Sequence, residues 1–384
     1  MNTYSNYIGK HVGNIKITEF IGKGSMGIVF KGHHANLDID VAVKIIRDEL
    51  LGNNKKDEYL KRFEREARIA AKLNHNCITR IIDYGQLENK PYIVIDYIDG
   101  FTLYDFVDAH NENLSELNIL KLVGMIASAL YEAHKNNIIH RDLKPQNIII
   151  SRNGRPYITD LGLARNITDF SVTQTAMILG SPAYMAPEHF TGKSPIDLRS
   201  DIYSLGCIAY FAAYKTLPVK GESIKDIMYK HITGDIDFTL DTACSEKTIN
   251  IIKKMMAADL NKRYQITSEI VDDVKQTISK LKEESRENLA IKSTDTDNNP
   301  DEKYVETIEG ESIAQYESKD LLIDSNTFLK VGQVLEALEK RLGPSVSNTG
   351  DIKITHASML DRWILWVILI CLITSTIIGY FFTS

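Results

Sequence analysis

Apolar and polar residues alternate near the start of the chain, which predicts short strands. Ile15, Ile17 and Phe20 are separated by polar residues and precede a glycine-rich turn. An apolar run, Val41-Ala42-Val43, ends on Lys44, and a further one starts at Pro91-Tyr92. Alternation and short apolar runs next to turn residues are typical of strands in a sheet. The first hundred residues are therefore predicted to form mainly a sheet.

Apolar residues at helical spacing predict one helix among the strands and, further along the chain, a mostly helical region. One helix is predicted from about Asp57 to Leu73, with apolar positions at Phe63, Ala67, Ile69, Ala70 and Leu73. From about Leu103 helices take over, and residues 117–135 form a long segment that is apolar on one side. Residues 197–215 follow the same spacing. The middle of the chain is therefore predicted to be mostly helical.

The pattern changes again beyond residue 282. Residues 283–324 are rich in Glu, Asp, Ser, Thr and Asn and poor in large apolar residues, which predicts an acidic, disordered linker. Residues 325–343 then predict an amphipathic helix, with apolar residues three and four positions apart at Phe328, Val331, Leu335, Leu338 and Leu342. Two interpretations stay open: a helix lying on the protein or on a bilayer, or a short seam between two copies in a homodimer.

Residues 363–382 form an apolar run without a single charge. At ~1.5 Å per residue a helix of this length crosses the ~30 Å hydrocarbon core of a bilayer. Residues suited to the interface lie near its ends, namely Arg362, Trp363, Trp366 and Tyr380. A buried core helix is the alternative, but such a helix rarely lacks a polar edge. The sequence therefore predicts one transmembrane helix, preceded by a juxtamembrane segment at 344–362 and followed only by Thr383 and Ser384.

Composition excludes several classes of function. The 384 residues carry a net charge of −6 without a basic stripe, so nucleic acid is not an expected partner. The four cysteines are far apart and form no CxxC pair, which disfavours structural zinc and a disulfide framework. The polar N-terminus lacks the apolar core of a signal peptide.

Chemistry is concentrated in the stretch His140-Arg141-Asp142-Leu143-Lys144-Pro145-Gln146-Asn147. Asp142 can orient a hydroxyl group and take its proton, Lys144 can lie against a phosphoryl group, and Asn147 can hold a metal ion. A second acid, Asp160, closes the strand-like segment 156–158. Two acids and an amide at neighbouring strand ends indicate chemistry at a phosphate.

Three glycines, Gly22, Gly24 and Gly27, precede a strand rather than a helix. This order favours a flap over phosphates, where backbone N–H groups approach oxygens that a Cβ would keep away; a plain glycine turn is the alternative. Lys44 ends a buried strand and needs an anion. Glu66 is the expected partner, with Glu64 as the alternative.

Later positions suggest supporting roles. Hydroxyl groups are frequent between residues 168 and 175, and Arg141 is placed to hold a phosphorylated threonine there. Asp201 is either a helix-start acid or a buried acid that ties its helix to the catalytic loop. Arg263 is the expected partner of Glu188.

Taken together, residues 15–282 resemble the bacterial Hanks-type (eukaryotic-like) Ser/Thr protein kinases. The motifs that match, in the family's order and spacing, are Gly22/Gly24/Gly27 with Val29, Val41-Ala-Val-Lys44, His140-Arg-Asp142-Leu-Lys144-x-x-Asn147, Asp160-x-Gly162 and Ala186-Pro-Glu188. Leu161 replaces the usual Phe, and Ser181 the usual Thr. The resemblance implies an α+β, two-lobed fold: a small β-rich N-lobe with one main helix at about 15–97 and a larger helical C-lobe at about 98–282, after an N-terminal extension at 1–14.

The resemblance also implies site residues. Asp142, Lys144 and Lys44 would be catalytic, and Asn147 and Asp160 would hold Mg²⁺, with Mn²⁺ as a substitute. The segment 91–100 would be the hinge whose backbone pairs with adenine. ATP would contact residues Ile21, Gly22, Gly24, Gly27, Val29, Ala42, Lys44, Glu66, Asp96, Ile98 and Ile149.

Ser171-Val-Thr173-Gln-Thr175 resembles the activation loop of the PASTA-bearing receptor kinases, in which both threonines are autophosphorylated. Thr173 and Thr175 are therefore the expected phosphosites. The expected function is a Ser/Thr protein kinase with protein substrates, held at the cytoplasmic face of the inner membrane by one helix. Two alternatives are a nucleotide-binding pseudokinase scaffold and a small-molecule phosphotransferase of related fold.

Overall fold

The computed structural model describes residues 4–24, 27–47, 56–109, 114–161, 182–192 and 196–294. The predicted phosphosites Thr173 and Thr175, the predicted amphipathic helix at 325–343 and the apolar run at 363–382 lie outside these ranges. Within them, no helix has the length and apolar character needed to cross a membrane.

The N-terminal part is a six-stranded antiparallel sheet in the order β1-β2-β3-β4-β6-β5. Its strands are β1 (His11–Val12), β2 (Ile15–Lys23), β3 (Gly27–His34), β4 (Ile39–Ile46), β5 (Ile81–Leu87) and β6 (Lys90–Asp96). Alternate apolar side chains of neighbouring strands form one core, in which Ile17, Phe30, Val43 and Val94 are fully buried. The other face receives helix α1 (Lys56–Ala70) through Phe63 and Ala67. The predicted small lobe with one main helix is confirmed.

The C-terminal part is helical. Its helices are α2 (Leu103–Ala109), α3 (Glu116–Lys135), α4 (Glu188–Thr191), α5 (Leu198–Tyr214), α6 (Ile224–Thr233), α7 (Glu246–Met255) and α8 (Thr267–Thr294). A three-stranded sheet, β7 (Gly100–Thr102), β8 (Ile148–Ser151) and β9 (Pro156–Ile158), lies in the order β7-β8-β9. Helices α3 and α5 bury most of their residues in one large core, which explains their mostly apolar sequences.

The N-terminal extension predicted at 1–14 is part of the small lobe from Tyr4 onward. β1 pairs with β2, Val12 lying opposite Ile15, and Tyr7 is buried against Phe30. Tyr4 stacks on Phe20 with the ring centroids 5.5 Å apart. Aromatic burial is the physical reason why these residues join the sheet.

Helix α8 continues to Thr294, beyond the predicted domain end at residue 282. The residues past that point include good helix formers of both charges, and no Gly or Pro interrupts them before Pro300. Lys247 of α7 also pairs with Glu284, 3.1 Å away, on this extra length. The first part of the predicted linker is therefore helical.

Candidate active site

Asp201, in the first turn of α5, holds the loop that carries Asp142. Its carboxylate is 1% exposed and accepts the backbone N–H groups of His140, at 2.8 Å, and Arg141, at 2.9 Å. His134 Nε2 lies 2.9 Å from the same carboxylate. Burial alone would raise the pKa of Asp201, but the bonds from His134 and His140 outweigh it and hold the pKa below its usual value. The structure thus confirms that a buried acid ties this helix to the loop.

Two side chains of the same loop contact Oδ2 of the Asp142 carboxylate. Lys144 Nζ lies 3.2 Å from Oδ2, and Asn147 Nδ2 donates to the main-chain oxygen of Asp142 at 2.7 Å and to Oδ2 at 3.3 Å. The Asp142 side chain is 9% exposed. An oriented carboxylate next to an ammonium group can accept a proton from a hydroxyl group while the ammonium faces a developing negative charge.

Asp160 is presented next to Asn147 by the pairing of β8 with β9. Thr159 donates its N–H and its hydroxyl to the Asn147 carbonyl oxygen, at 2.9 and 3.2 Å. His140 Nε2 lies 3.0 Å from the Thr159 carbonyl oxygen. Asp160 itself has a φ of 61°, a left-handed conformation that is uncommon outside glycine and concentrates at functional sites.

The donor set of Asn147 and Asp160 fits Mg²⁺. Both side chains offer oxygen, and the Asn147 amide nitrogen is already turned toward Asp142. Within the described ranges, no cluster of three or more His, Cys, Asp or Glu residues could hold a metal alone. Mg²⁺ characteristically takes one or two protein oxygens and completes its shell with water and phosphate oxygens.

Lys44 connects the two lobes. Its side chain is 9% exposed, and Nζ lies 2.6 Å from Asp160 Oδ1. The predicted partner, Glu66, instead pairs with Arg65 at 2.9 Å and interacts electrostatically with Arg141. The expected Lys44–Glu66 ion pair is therefore replaced by a Lys44–Asp160 pair, because the nearer carboxylate already satisfies the buried ammonium.

The register of the small sheet brings the predicted nucleotide residues together. Gly22 lies opposite Val29, Val29 opposite Lys44, and Ala42 is two residues from Lys44, so these positions share one face. A Cβ on Gly27 would lie 2.5 Å from the Ile45 carbonyl oxygen, so only glycine fits there. A Cβ on Gly24 would meet the Gly27 carbonyl oxygen at 3.9 Å, an ordinary van der Waals contact, so this position does not require glycine by close packing.

The remaining predicted ATP contacts differ in exposure. Ile149 is half-buried between two fully buried isoleucines of β8 and so faces away from their core. Ile21 is 37% exposed on β2, and Ile98 is half-buried just after β6. Arg80 occupies the Asp96 carboxylate and also accepts the Asp96 N–H on its carbonyl oxygen, so the main-chain carbonyl oxygen of Asp96 is the group that would contact a ligand.

The predicted Glu188–Arg263 pair is confirmed. Arg263 Nη1 lies 2.9 Å from Oε1 and Nη2 3.3 Å from Oε2, and Ser200 donates to Oε1 at 2.6 Å. Burial opposes ionisation of Glu188, but Arg263 holds its pKa below the usual value. This buried pair fixes the segment before α4, whose Tyr184 and Met185 line one crevice with Asp142 and Lys144.

Three contributors escaped the sequence analysis: His134, Thr159 and Arg80. Thr159 and Arg80 each lie next to a short apolar run, and His134 lies in the last turn of the long amphipathic helix α3, which was the available signal. The residues that these three side chains contact are distant in the chain, so the local sequence pattern does not identify their partners.

Comparison with known proteins identifies the same family by a family model and by individual relatives. The family model described as "Protein kinase domain" matches residues 15–274. The serine/threonine-protein kinase PrkC of Bacillus subtilis is 35% identical over 271 residues, covering 70% of this chain and 41% of that protein. PknB of Mycobacterium tuberculosis is 36% identical over 268 residues, covering 67% of this chain and 42% of that protein. The chain thus spans less than half of the length of these relatives.

Solved structures agree on the fold. The kinase domain of PknI from M. tuberculosis superposes with a TM-score of 0.54 at 23% identity, covering 70% of this chain and 97% of that one.

Proposed function

Because the chain belongs to the protein kinase domain family, we propose that it is a serine/threonine protein kinase that transfers the γ-phosphate of ATP to Ser and Thr hydroxyl groups of other proteins. The observation that carries this proposal is the convergence of Lys44, Asp142, Asn147 and Asp160, held by the contacts described above. A pseudokinase scaffold would not need an oriented Asp142 carboxylate beside a lysine.

Each group has a distinct role in the proposed transfer. Asp142 orients the acceptor hydroxyl and takes its proton, while the γ-phosphoryl group passes to the hydroxyl oxygen and ADP leaves. Lys144, 3.2 Å from Asp142, faces the charge on the transferring group. Lys44 contacts the nucleotide phosphates. Asn147 and Asp160 would hold Mg²⁺, which when bound would neutralise phosphate charge.

Regulation by autophosphorylation at Thr173 and Thr175 belongs to the same proposal. It is supported by the sequence of that segment and by Arg141, whose guanidinium is desolvated beside the catalytic loop; this burial lowers its pKa despite the nearby Asp201 and Glu66. A phosphate would offer this arginine a strong, charge-assisted partner.

A membrane tether is the last part of the proposal. The uncharged run at 363–382 would anchor the chain in the cytoplasmic membrane with its kinase domain on the ATP-containing side. Tethering confines copies to a surface and so favours phosphorylation of one copy by another, with or without a stable homodimer.

The test is phosphosite mapping by mass spectrometry on the full chain with Mg²⁺-ATP, comparing the wild type with Asp142→Asn. Phosphate on Thr173 and Thr175 in the wild type alone supports the mechanism, because the variant keeps the nucleotide contacts and loses the proton acceptor. Equal phosphorylation of Asp142→Asn overturns the role of Asp142. A wild type that binds ATP and transfers nothing to itself or to a generic acceptor protein favours the scaffold function instead.

A further inference from the structure

Residues 77–80, between α1 and β5, are attached to the large lobe. The backbone N–H of Ile158 donates to the Cys77 carbonyl oxygen at 2.8 Å. Thr79 donates both its N–H, at 3.1 Å, and its hydroxyl, at 3.2 Å, to the Ile158 carbonyl oxygen. Ile158 ends β9, two residues before Asp160, so this segment is fixed to the strand that presents the metal-binding acid.

The next residue, Arg80, is fixed to the other side, on the last residue of β6. Its backbone N–H donates to Asp96 Oδ2 at 2.8 Å, its Nε to the same oxygen at 3.1 Å, and its Nη2 to Oδ1 at 2.9 Å. The Asp96 N–H returns a bond to the Arg80 carbonyl oxygen at 3.1 Å. Hydrogen bonding to Asp96 also raises the pKa of Arg80.

Four hydrogen bonds between two residues fix the backbone of Asp96 as well as its side chain. A bidentate guanidinium–carboxylate pair has a set geometry, which a lysine cannot reproduce. Asp96 ends β6 where the connector between the lobes begins, and because its N–H is bonded to Arg80, its carbonyl oxygen is the group that would pair with adenine under the proposed function. The carboxylate is 18% exposed, whereas Arg80 is 67% exposed.

We propose that Arg80 is a positioning residue for the adenine base: it orients the backbone at Asp96 and ties it, through residues 77–79, to the strand that presents Asp160. This inference rests on the proposed function for the identity of the ligand. The exposure of Arg80 makes its contribution to folding small, since exposed ion pairs contribute about 1 kcal/mol or less. Its effect should therefore fall on nucleotide recognition.

The experiment measures binding to the full chain of ATP and of its two halves, adenosine and the magnesium complex of inorganic tripolyphosphate. Arg80→Ala should weaken the binding of ATP and of adenosine by the same factor. We expect Kd to rise roughly five- to tenfold, as follows from one impaired hydrogen bond. Tripolyphosphate binding should not change. In turnover assays KM for ATP should rise by the same factor while kcat stays close to the wild-type value. Arg80→Lys keeps the positive charge but cannot form the bidentate pair with Asp96, so its ligand affinities should resemble those of Arg80→Ala.

Arg152→Ala is the matched control. Arg152 Nε pairs with Asp99 Oδ2 at 2.7 Å on the same connector, and both side chains are exposed, but this pair does not involve Asp96. The control should bind all three ligands like the wild type.

Unchanged adenosine affinity in Arg80→Ala would overturn the inference. An equal loss of affinity for adenosine and for tripolyphosphate would also overturn it, as would the same loss of adenosine affinity in Arg152→Ala. These outcomes are separable from failure of the proposed function, because binding is measured without turnover. A wild type that does not bind ATP at all contradicts the proposed function itself.

Discussion

At the scale of single residues, His231 shows how burial decides charge. It is fully buried in the last turn of α6, its Nδ1 lies 2.7 Å from the Tyr203 hydroxyl, and its ring packs near Phe190. Burial lowers the pKa of His231 to about 4, despite carbonyl groups of Pro182 and Ala183 that favour its charged form. The imidazole is therefore neutral in the folded protein near pH 7, and protonating it destabilises the fold.

This gives a pH dependence of stability with a defined sign. The pKa of His231 is about 4 when folded, against ~6.5 when unfolded, so the unfolded chain binds more protons between these values. The contribution of neutral His231 to the free energy of unfolding is fully present above pH ~6.5 and is lost as the pH falls toward 4. It amounts to as much as ~3 kcal/mol. Denaturant unfolding of the wild type should show that the free energy of unfolding falls between pH 7.5 and pH 4.5. In His231→Gln the decrease over the same pH range should be smaller.

The control is His11→Gln, which changes an exposed histidine on β1 and should keep the wild-type pH slope. An unaltered slope in His231→Gln would assign the acid sensitivity to other groups.

Sequence reasoning at this scale succeeded where chemistry is local in the chain. Asp142, Lys144 and Asn147 lie within six positions, and their grouping in one loop requires no knowledge of the fold. It failed on the partner of Lys44: Glu66 was expected, with Glu64 as the alternative, whereas the partner is Asp160, which is far away in the chain and which apolar periodicity cannot place next to Lys44. Arg80 escaped for a related reason: its partner, Asp96, is 16 residues further along the chain, at the end of β6.

At the scale of elements, the Glu188–Arg263 pair fixes α4 to the segment between α7 and α8. Arg263 is 2% exposed, and its guanidinium also donates to the carbonyl oxygens of Ala257, at 3.0 Å, and Arg199, at 2.7 Å. The Arg263 side chain thus joins α4, α5 and the segment that follows α7, and its partners Glu188 and Arg199 are 75 and 64 residues away in the sequence.

Removing this arginine should be costly. Arg263→Ala leaves the buried Glu188 carboxylate without its cation, and we expect a loss of ~3–5 kcal/mol in the free energy of unfolding, measured with a chemical denaturant. Lys247→Ala removes the exposed pair with Glu284 and should cost less than ~1 kcal/mol. Similar small losses in both variants would contradict the structural role assigned to Arg263.

Element boundaries were less predictable than element types. Strands β2, β4 and β6 and the long helices α3 and α5 follow directly from apolar spacing, whereas β1 lies in the stretch predicted as an N-terminal extension. The end of α8 does not, because residues 283–294 are polar and their composition also suits a linker. Helix propensity and the exposed Lys247–Glu284 pair favour a helix there, and both effects are small.

At the scale of the whole molecule, the proposed tether predicts how the protein fractionates. The full chain should sediment with membranes and resist extraction by high salt and alkaline carbonate. A chain that ends at residue 362 lacks the uncharged run and should be found in the soluble fraction.

Replacing residues 363–382 by an unrelated apolar helix of equal length is the control and should restore membrane association. If the shortened chain still sediments with membranes after carbonate treatment, the attachment lies elsewhere in the protein.

The short strand β1 has a consequence for how this domain can be handled as an isolated protein. Residues 9–12 cover the first half of β2: besides the β1 pairing, Gly9 N–H donates to the Ile17 carbonyl oxygen at 2.8 Å and Ile17 N–H to that of Lys10 at 2.9 Å. A domain cut at residue 15, where the family model begins, would expose this strand edge together with the aromatic surface that Tyr4 and Tyr7 cover. Open edges next to apolar surface recruit other chains, so such a fragment should aggregate at concentrations at which one beginning at Tyr4 stays dispersed.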